Sequence, residues 1–145
     1  MANENKTQEN VDQISPVRTT SEGFRYSNTL VDHARNPHNM YVAEKYNGFA
    51  INDGYCGDMM SMWLFIENDI VKIATFHTDG CGPSIACGSM TTEMAQGKTI
   101  DELREITPRK IIEELGGLPV DHEHCASLAA GTLQLALEDY LSPSI

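Results

Sequence analysis

The stretch MMSMWLFIENDIVKIATFH, residues 59–77, decides the fold. Two strongly apolar runs, Met59–Ile66 and Ile70–His77, flank Glu67-Asn68-Asp69. Asn and Asp tolerate the left-handed backbone that a tight turn needs, so the stretch reads as an antiparallel hairpin. The first run is apolar at nearly every position, which predicts packing on both of its faces.

Downstream of the hairpin the periodicity becomes helical. Pro83 is placed as a first-turn proline with Gly82 as the cap, and Ile85, Ala86, Ser89, Met90 and Met94 carry the helix to Gly97. Thr99 and Glu102 form a capping-box pattern for a short helix, Thr99–Ile106. Thr107-Pro108 opens another, closed by Gly116-Gly117. Asp121 is the expected cap of a last helix running to about Leu141 on Cys125, Leu128, Ala129, Leu133, Ala136 and Tyr140.

Upstream, Phe24, Leu30, Val31 and Ala34 make one helical face that Ser27 caps and Pro37 stops. A loop or short strand follows over Tyr46–Asp53. Helix, strands, then helices, without βαβ alternation, predict an α+β fold. It is a small antiparallel sheet of about three strands with helices packed on one face. Residues 1–22 lack apolar periodicity and are expected to be a disordered tail, leaving residues 23–145 as one domain.

Composition narrows the function. Ten Lys+Arg against 21 Asp+Glu leave a formal charge of −11 and no basic block, which argues against nucleic acid and anionic membranes as partners. No apolar run approaches the roughly 20 residues of a membrane span. The first residues carry no apolar signal core, and Glu4, Glu9 and Asp12 fit a transit peptide badly. The expectation is therefore a cytoplasmic chain whose thiols stay reduced.

Four cysteines, Cys56, Cys81, Cys87 and Cys125, then need a role. No CxxC is present, which removes zinc-ribbon, thioredoxin and ferredoxin readings. Cys56 lies in Gly54-Tyr55-Cys56-Gly57-Asp58, where glycines allow close approach of backbone to a bound group and Asp58 adds a carboxylate. Cys81, in Asp79-Gly80-Cys81-Gly82-Pro83, precedes a helix whose free N–H groups favour a thiolate. Cys125 follows His124 at the start of the last helix. Three thiols at three element beginnings are site-like, and imidazole suits iron and zinc. Cys87, in step with Met90 and Met94, reads as core, as do Met59, Met60 and Met62 on their strand. His122 reads as a surface or capping residue, and His33, His38 and His77 as structural or solvated.

These residues resemble the NifU/IscU-type iron–sulfur cluster assembly scaffolds. The resemblance is carried by Tyr55-Cys56-Gly57-Asp58, Gly80-Cys81-Gly82 and His124-Cys125-Ala126-Ser127-Leu128. The helix YSNTLVDHARNPHN resembles the family's opening segment, and the similarity runs from about Tyr26 to Tyr140. It implies cysteines converging at one exposed end and a non-enzymatic scaffold. Such a scaffold takes sulfur from a cysteine desulfurase, receives iron, builds a [2Fe–2S] cluster and passes it to apo iron–sulfur proteins as monomer or dimer. Carried over by position, the ligands would be Cys56, Cys81 and Cys125, with Asp58 and His124 as fourth ligand or assisting groups. Zinc can occupy such a site. Three thiolates with one harder ligand hold iron less permanently than four, which suits a cargo that must leave. Cys125 is the expected sulfur acceptor, with His124 carrying protons for it.

One departure concerns partners. Where many members carry Leu-Pro-Pro-Val-Lys, gripped by an Hsp70-type chaperone, this chain reads Leu118-Pro119-Val120-Asp121-His122-Glu123. The loss of the lysine weighs against dependence on that chaperone. The main rival is a zinc-bound sulfur acceptor that stores no cluster, but its usual Arg at position 124 and its insertion are missing. A hydrolase using Cys125, His124 and Asp58 fits worse, because adjacent side chains on a helix diverge. A permanent redox centre would want four soft ligands, and a pure interaction module would not need three such thiols.

Overall fold

A computed structural model of the protein describes residues 22–54 and 57–142. The elements are α1 (Asn28–Arg35), β1 (Gly48–Asp53), β2 (Met59–Glu67), β3 (Ile70–Thr78), α2 (Gly82–Ala95), α3 (Ile100–Leu103), α4 (Pro108–Leu115) and α5 (Glu123–Leu141). A 3-10 turn, Val120–His122, leads into α5. The expected tail falls, except for Glu22, outside the described residues, as do Tyr55 and Cys56.

The hairpin forms as its sequence dictates. Glu67 pairs with Ile70. The turn residues Asn68 and Asp69 take φ of 54° and 62°, which those two side chains tolerate. With β1 the strands make one antiparallel sheet in the order β1-β2-β3. Met60, Met62, Leu64 and Ile66 alternate along β2 onto one face and are fully or almost fully buried. Each such side chain contributes about 1.5–3 kcal/mol by leaving water.

That face is covered by α2 and α5. Gly88 lets α2 approach closely: a Cβ there would meet the Phe76 ring at 2.4 Å. Along α5, a Cβ on Gly48 would strike the Ala136 carbonyl at 2.7 Å, and Phe49 N–H donates to Asp139 Oδ2 over 2.9 Å. Gly54 lies against Leu128, so α5 runs antiparallel to β1. Its first turn therefore ends up beside the last residues of β1.

The opposite face of β2 is also covered, as its apolar run predicts, but by no helix. Met40 bridges to Phe76 at the outer edge of β3, and Asn47 is bonded to Leu64 and Ile66 on β2. The chain between them crosses the sheet and sets the Lys45 ammonium 4.6 Å from the Phe65 ring centroid. Phe49 packs against Trp63 at 5.4 Å between centroids. The α+β expectation with helices on one face holds.

Several local expectations hold and several shift. Ser27 caps α1 by accepting from Leu30 N–H, Thr107 caps α4, and Gly116 ends α4 in the left-handed conformation. The Thr99–Glu102 capping box has both of its bonds, but the helix behind it stops at Leu103 rather than Ile106. The cap of α2 is Cys81 rather than Gly82, and α2 ends at Ala95 rather than Gly97. Asp121 belongs to the 3-10 turn, so the cap position of α5 falls to His122.

Candidate functional site

One end of the sheet gathers five starts and stops: the end of β1, the start of β2, the end of β3, and the first turns of α2 and α5. The loop from β1 to β2 is closed by Gly54 N–H donating to the Asp58 carbonyl, with Gly57 N–H donating to that of Gly54. Met59 N–H donates to Asp79 Oδ1 over 2.9 Å, and Thr78 Oγ1 donates to the Met59 carbonyl. These bonds join the loop that contains Cys56 to the segment that leads into Cys81. Cys56 itself lies outside the described residues.

Ser84 stands at the centre of this end. It is fully buried, one turn into α2. Its Oγ lies 2.9 Å from Asp58 Oδ2, 3.3 Å from Cys125 Sγ and 4.0 Å from Cys81 Sγ. A hydroxyl has one proton, and a carboxylate is the strongest acceptor of the three, so Ser84 donates to Asp58 and turns its oxygen towards the thiols. Gly80 makes room for this contact: a Cβ there would meet Ser84 Oγ at 2.6 Å and Asp58 Oδ2 at 2.7 Å.

Cys81 and Cys125 come together, as expected. Each offers a ligand atom within 4.8 Å of the other and of a ring nitrogen of His122. Cys81 is exposed, whereas Cys125 is completely buried, so of these two thiols only Cys81 is open to solvent. His124 Nε2 is 3.8 Å from Cys125 Sγ.

His122, expected to be a surface or capping residue, is the member of the group that sequence reasoning missed. It is three residues before Cys125, the spacing that puts two side chains on one helical face. Its Nδ1 is buried and has no hydrogen-bond partner among the described residues. An imidazole with an orphaned buried nitrogen, grouped with two thiols, matches the donor set that zinc or iron takes.

The other expectations fall as follows. Cys87 is buried in the core, where burial first, then the nearby Cys125 and Cys81, push its thiol well above the ordinary value. His77 is exposed. His33 is structural: its buried ring bonds Ser89 Oγ at 2.7 Å through Nδ1, and burial holds it below its ordinary value against the pull of Glu93. His38 meets Glu93 at the surface. Among the described residues no helix is long and apolar enough to cross a membrane.

The comparisons with known proteins agree with this geometry. The family model "NifU-like N terminal domain" matches residues 25–144. The iron-sulfur cluster assembly scaffold protein IscU of Aquifex aeolicus is 42% identical over 121 residues, 81% of this chain and 77% of that protein. IscU 1 of Archaeoglobus fulgidus is 40% identical over 116 residues, 79% and 76% of the two chains. IscU of Haemophilus influenzae is 35% identical over 120 residues, 79% and 94%. The crystal structure of a NifU-like protein (N-terminal) from Brucella abortus superposes with a TM-score of 0.62 at 15% identity, over 81% of this chain and 95% of that one, which is a likeness of fold. From the match over nearly all described residues and the identity to several IscU proteins, the chain belongs to the NifU/IscU family.

Proposed function

We propose that this chain is a scaffold on which an iron–sulfur cluster is assembled and from which it is handed on. The observation that carries the reading is the convergence of Cys81, Cys125 and His122 around the Ser84–Asp58 contact. The names of the relatives, all cluster assembly scaffold proteins, support it. The cargo is a [2Fe–2S] cluster held by Cys56, Cys81 and Cys125, with Asp58, His122 and His124 around the remaining coordination positions. Zinc fits the same donors. The protein works as one domain over residues 23–145, in the cytoplasm, with a cysteine desulfurase as sulfur donor and apo iron–sulfur proteins as recipients.

The chemistry follows from the donors. A thiolate of this site attacks the outer sulfur of the desulfurase persulfide. A new S–S bond forms on the scaffold cysteine, the old one breaks, and the desulfurase cysteine leaves as thiolate. No net oxidation occurs in that step. Cys125 is the proposed acceptor because His124 stands 3.8 Å from its sulfur and can take its proton. Since Cys125 is buried, acceptance there follows an opening of the site, and Cys81 is the first thiol a donor meets.

The test is an anaerobic reconstitution with ferrous iron, cysteine and a desulfurase, followed by iron and sulfide analysis. Equal iron and sulfide, with visible charge-transfer bands that vanish on transfer to apo-ferredoxin, is the expected result. One tight zinc and no cluster under any condition would overturn it in favour of a zinc-bound sulfur acceptor. Normal sulfur uptake by Cys125→Ser would move the acceptor role to another cysteine.

A further inference from the structure

A second group of metal-ligating side chains lies away from the cysteines. His33 on α1, His38 just after Pro37 and Glu93 on α2 each bring one ligand atom within 4.8 Å of the others. Glu93 is about 18 Å further along α2 than Cys81, at 1.5 Å rise per residue. The two sites therefore share a helix but no ligand.

The group is built rather than scattered. His33 Nε2 lies 3.8 Å from Glu93 Oε1, and His38 Nδ1 lies 2.5 Å from the same oxygen. Buried Ser89 fixes both histidines: its Oγ is 2.7 Å from His33 Nδ1 and accepts from the His38 backbone N–H over 2.8 Å. Bonding of His33 through Nδ1 turns Nε2 towards the carboxylate, the arrangement in which an outer contact orients a ligating ring. Metal–ligand bonds of roughly 2.0–2.2 Å put neighbouring donor atoms about 3.3 Å apart. One present spacing is wider than this and one narrower. His38 and Glu93 are about half exposed, at 49% and 48%, so both can adjust while His33 stays in place.

We propose that His33, His38 and Glu93 form a second metal site, for a zinc-class divalent ion, that ties α1 and the segment after it to α2. Two imidazoles and one carboxylate suit zinc, cobalt or nickel better than magnesium or calcium, which prefer all-oxygen sites. Three protein ligands leave a position for water. The site is independent of the cysteine reading and stands or falls separately.

The test uses the full chain, reduced and metal-free, titrated with cobalt(II) as the probe. Thiolate ligation at the cysteine site gives an intense near-ultraviolet charge-transfer band, whereas an imidazole–carboxylate site gives only weak visible bands. The expected result is a second equivalent that adds no thiolate band and shifts the His33 and His38 ring resonances when zinc replaces cobalt. His38→Ala and Glu93→Gln, both at exposed positions, should weaken that equivalent tenfold or more and leave the thiolate band intact. Cys81→Ser should weaken the thiolate band and spare the second equivalent. A single equivalent in the unaltered chain would overturn the proposal and leave a hydrogen-bonded clasp only. So would a second equivalent that survives both His38→Ala and Glu93→Gln. Loss of the thiolate band alone would count against the scaffold reading and not against this site.

Discussion

Ser84 donates its hydroxyl proton to the carboxylate of Asp58 across 2.9 Å, and this bond ties the loop ahead of β2 to the first turn of α2. Ser84→Ala removes that bond between the loop and the helix. Outer-shell partners of this kind typically change metal affinity by about 10–100-fold. The expected outcome is zinc or cobalt affinity lower by that order, with a far-ultraviolet circular dichroism spectrum that is unchanged.

Gly80→Ala should produce the same loss from the other side. Its Cβ would stand 2.6 Å from Ser84 Oγ and 2.7 Å from Asp58 Oδ2, forcing the two apart. Competition with a chromogenic chelator measures the affinity. Wild-type affinity in Gly80→Ala would show that the contact does not order the site.

His122 and His124 are separable. His122 shares a ligand group with Cys81 and Cys125, while His124 sets its Nε2 3.8 Å from Cys125 Sγ. His122→Ala should lower cobalt affinity by about tenfold or more, the scale of losing one contact worth roughly 1.4 kcal/mol. His124→Ala should chiefly slow persulfide uptake. Mass spectrometry of the scaffold after brief exposure to a loaded desulfurase reads the second effect.

The thiols should differ sharply in reactivity. Cys81 is exposed, whereas Cys87 is completely buried with its thiol pushed up by that burial, so a thiol reagent at mildly alkaline pH should modify Cys81 and spare Cys87 until the protein unfolds. Cys87→Ala should leave metal affinity and sulfur uptake unchanged and cost about 1 kcal/mol as a small cavity.

Gly88→Ala tests the fold. The added methyl would sit 2.4 Å from the buried Phe76 ring. Overpacking of a filled core costs about 1–3 kcal/mol, so the urea midpoint should fall accordingly.

The hairpin and the caps were legible because their signals are local. Asn68-Asp69, Ser27, Thr99 with Glu102, and Thr107 act within four residues of themselves, and propensity suffices to read them. The exact bounds of α2, α3 and α5 were less so, because packing and a 3-10 turn decide where those helices begin and end. For the site, the element-start positions marked Cys81 and Cys125 as site-like, and the family resemblance implied their convergence. Ser84 and His122 were harder to see. Ser84 matters through contacts across 26 and 41 residues of sequence, which no window shows. His122 was readable in principle from its spacing of three residues to Cys125, but His124, directly before Cys125 in sequence, was the more obvious candidate. His33, His38 and Glu93 meet only because α1 packs on α2.

The seating of Gly88 on Phe76 stiffens the α2 side of the site. A helix whose backbone rests directly on an aromatic ring has no side chain between them to give, so α2 can neither roll nor sink. Cys81 and Ser84 thus sit on a fixed post. Whatever adjustment the site makes as atoms arrive and leave must come from what faces that post, the stretch from Leu118 to His122 included.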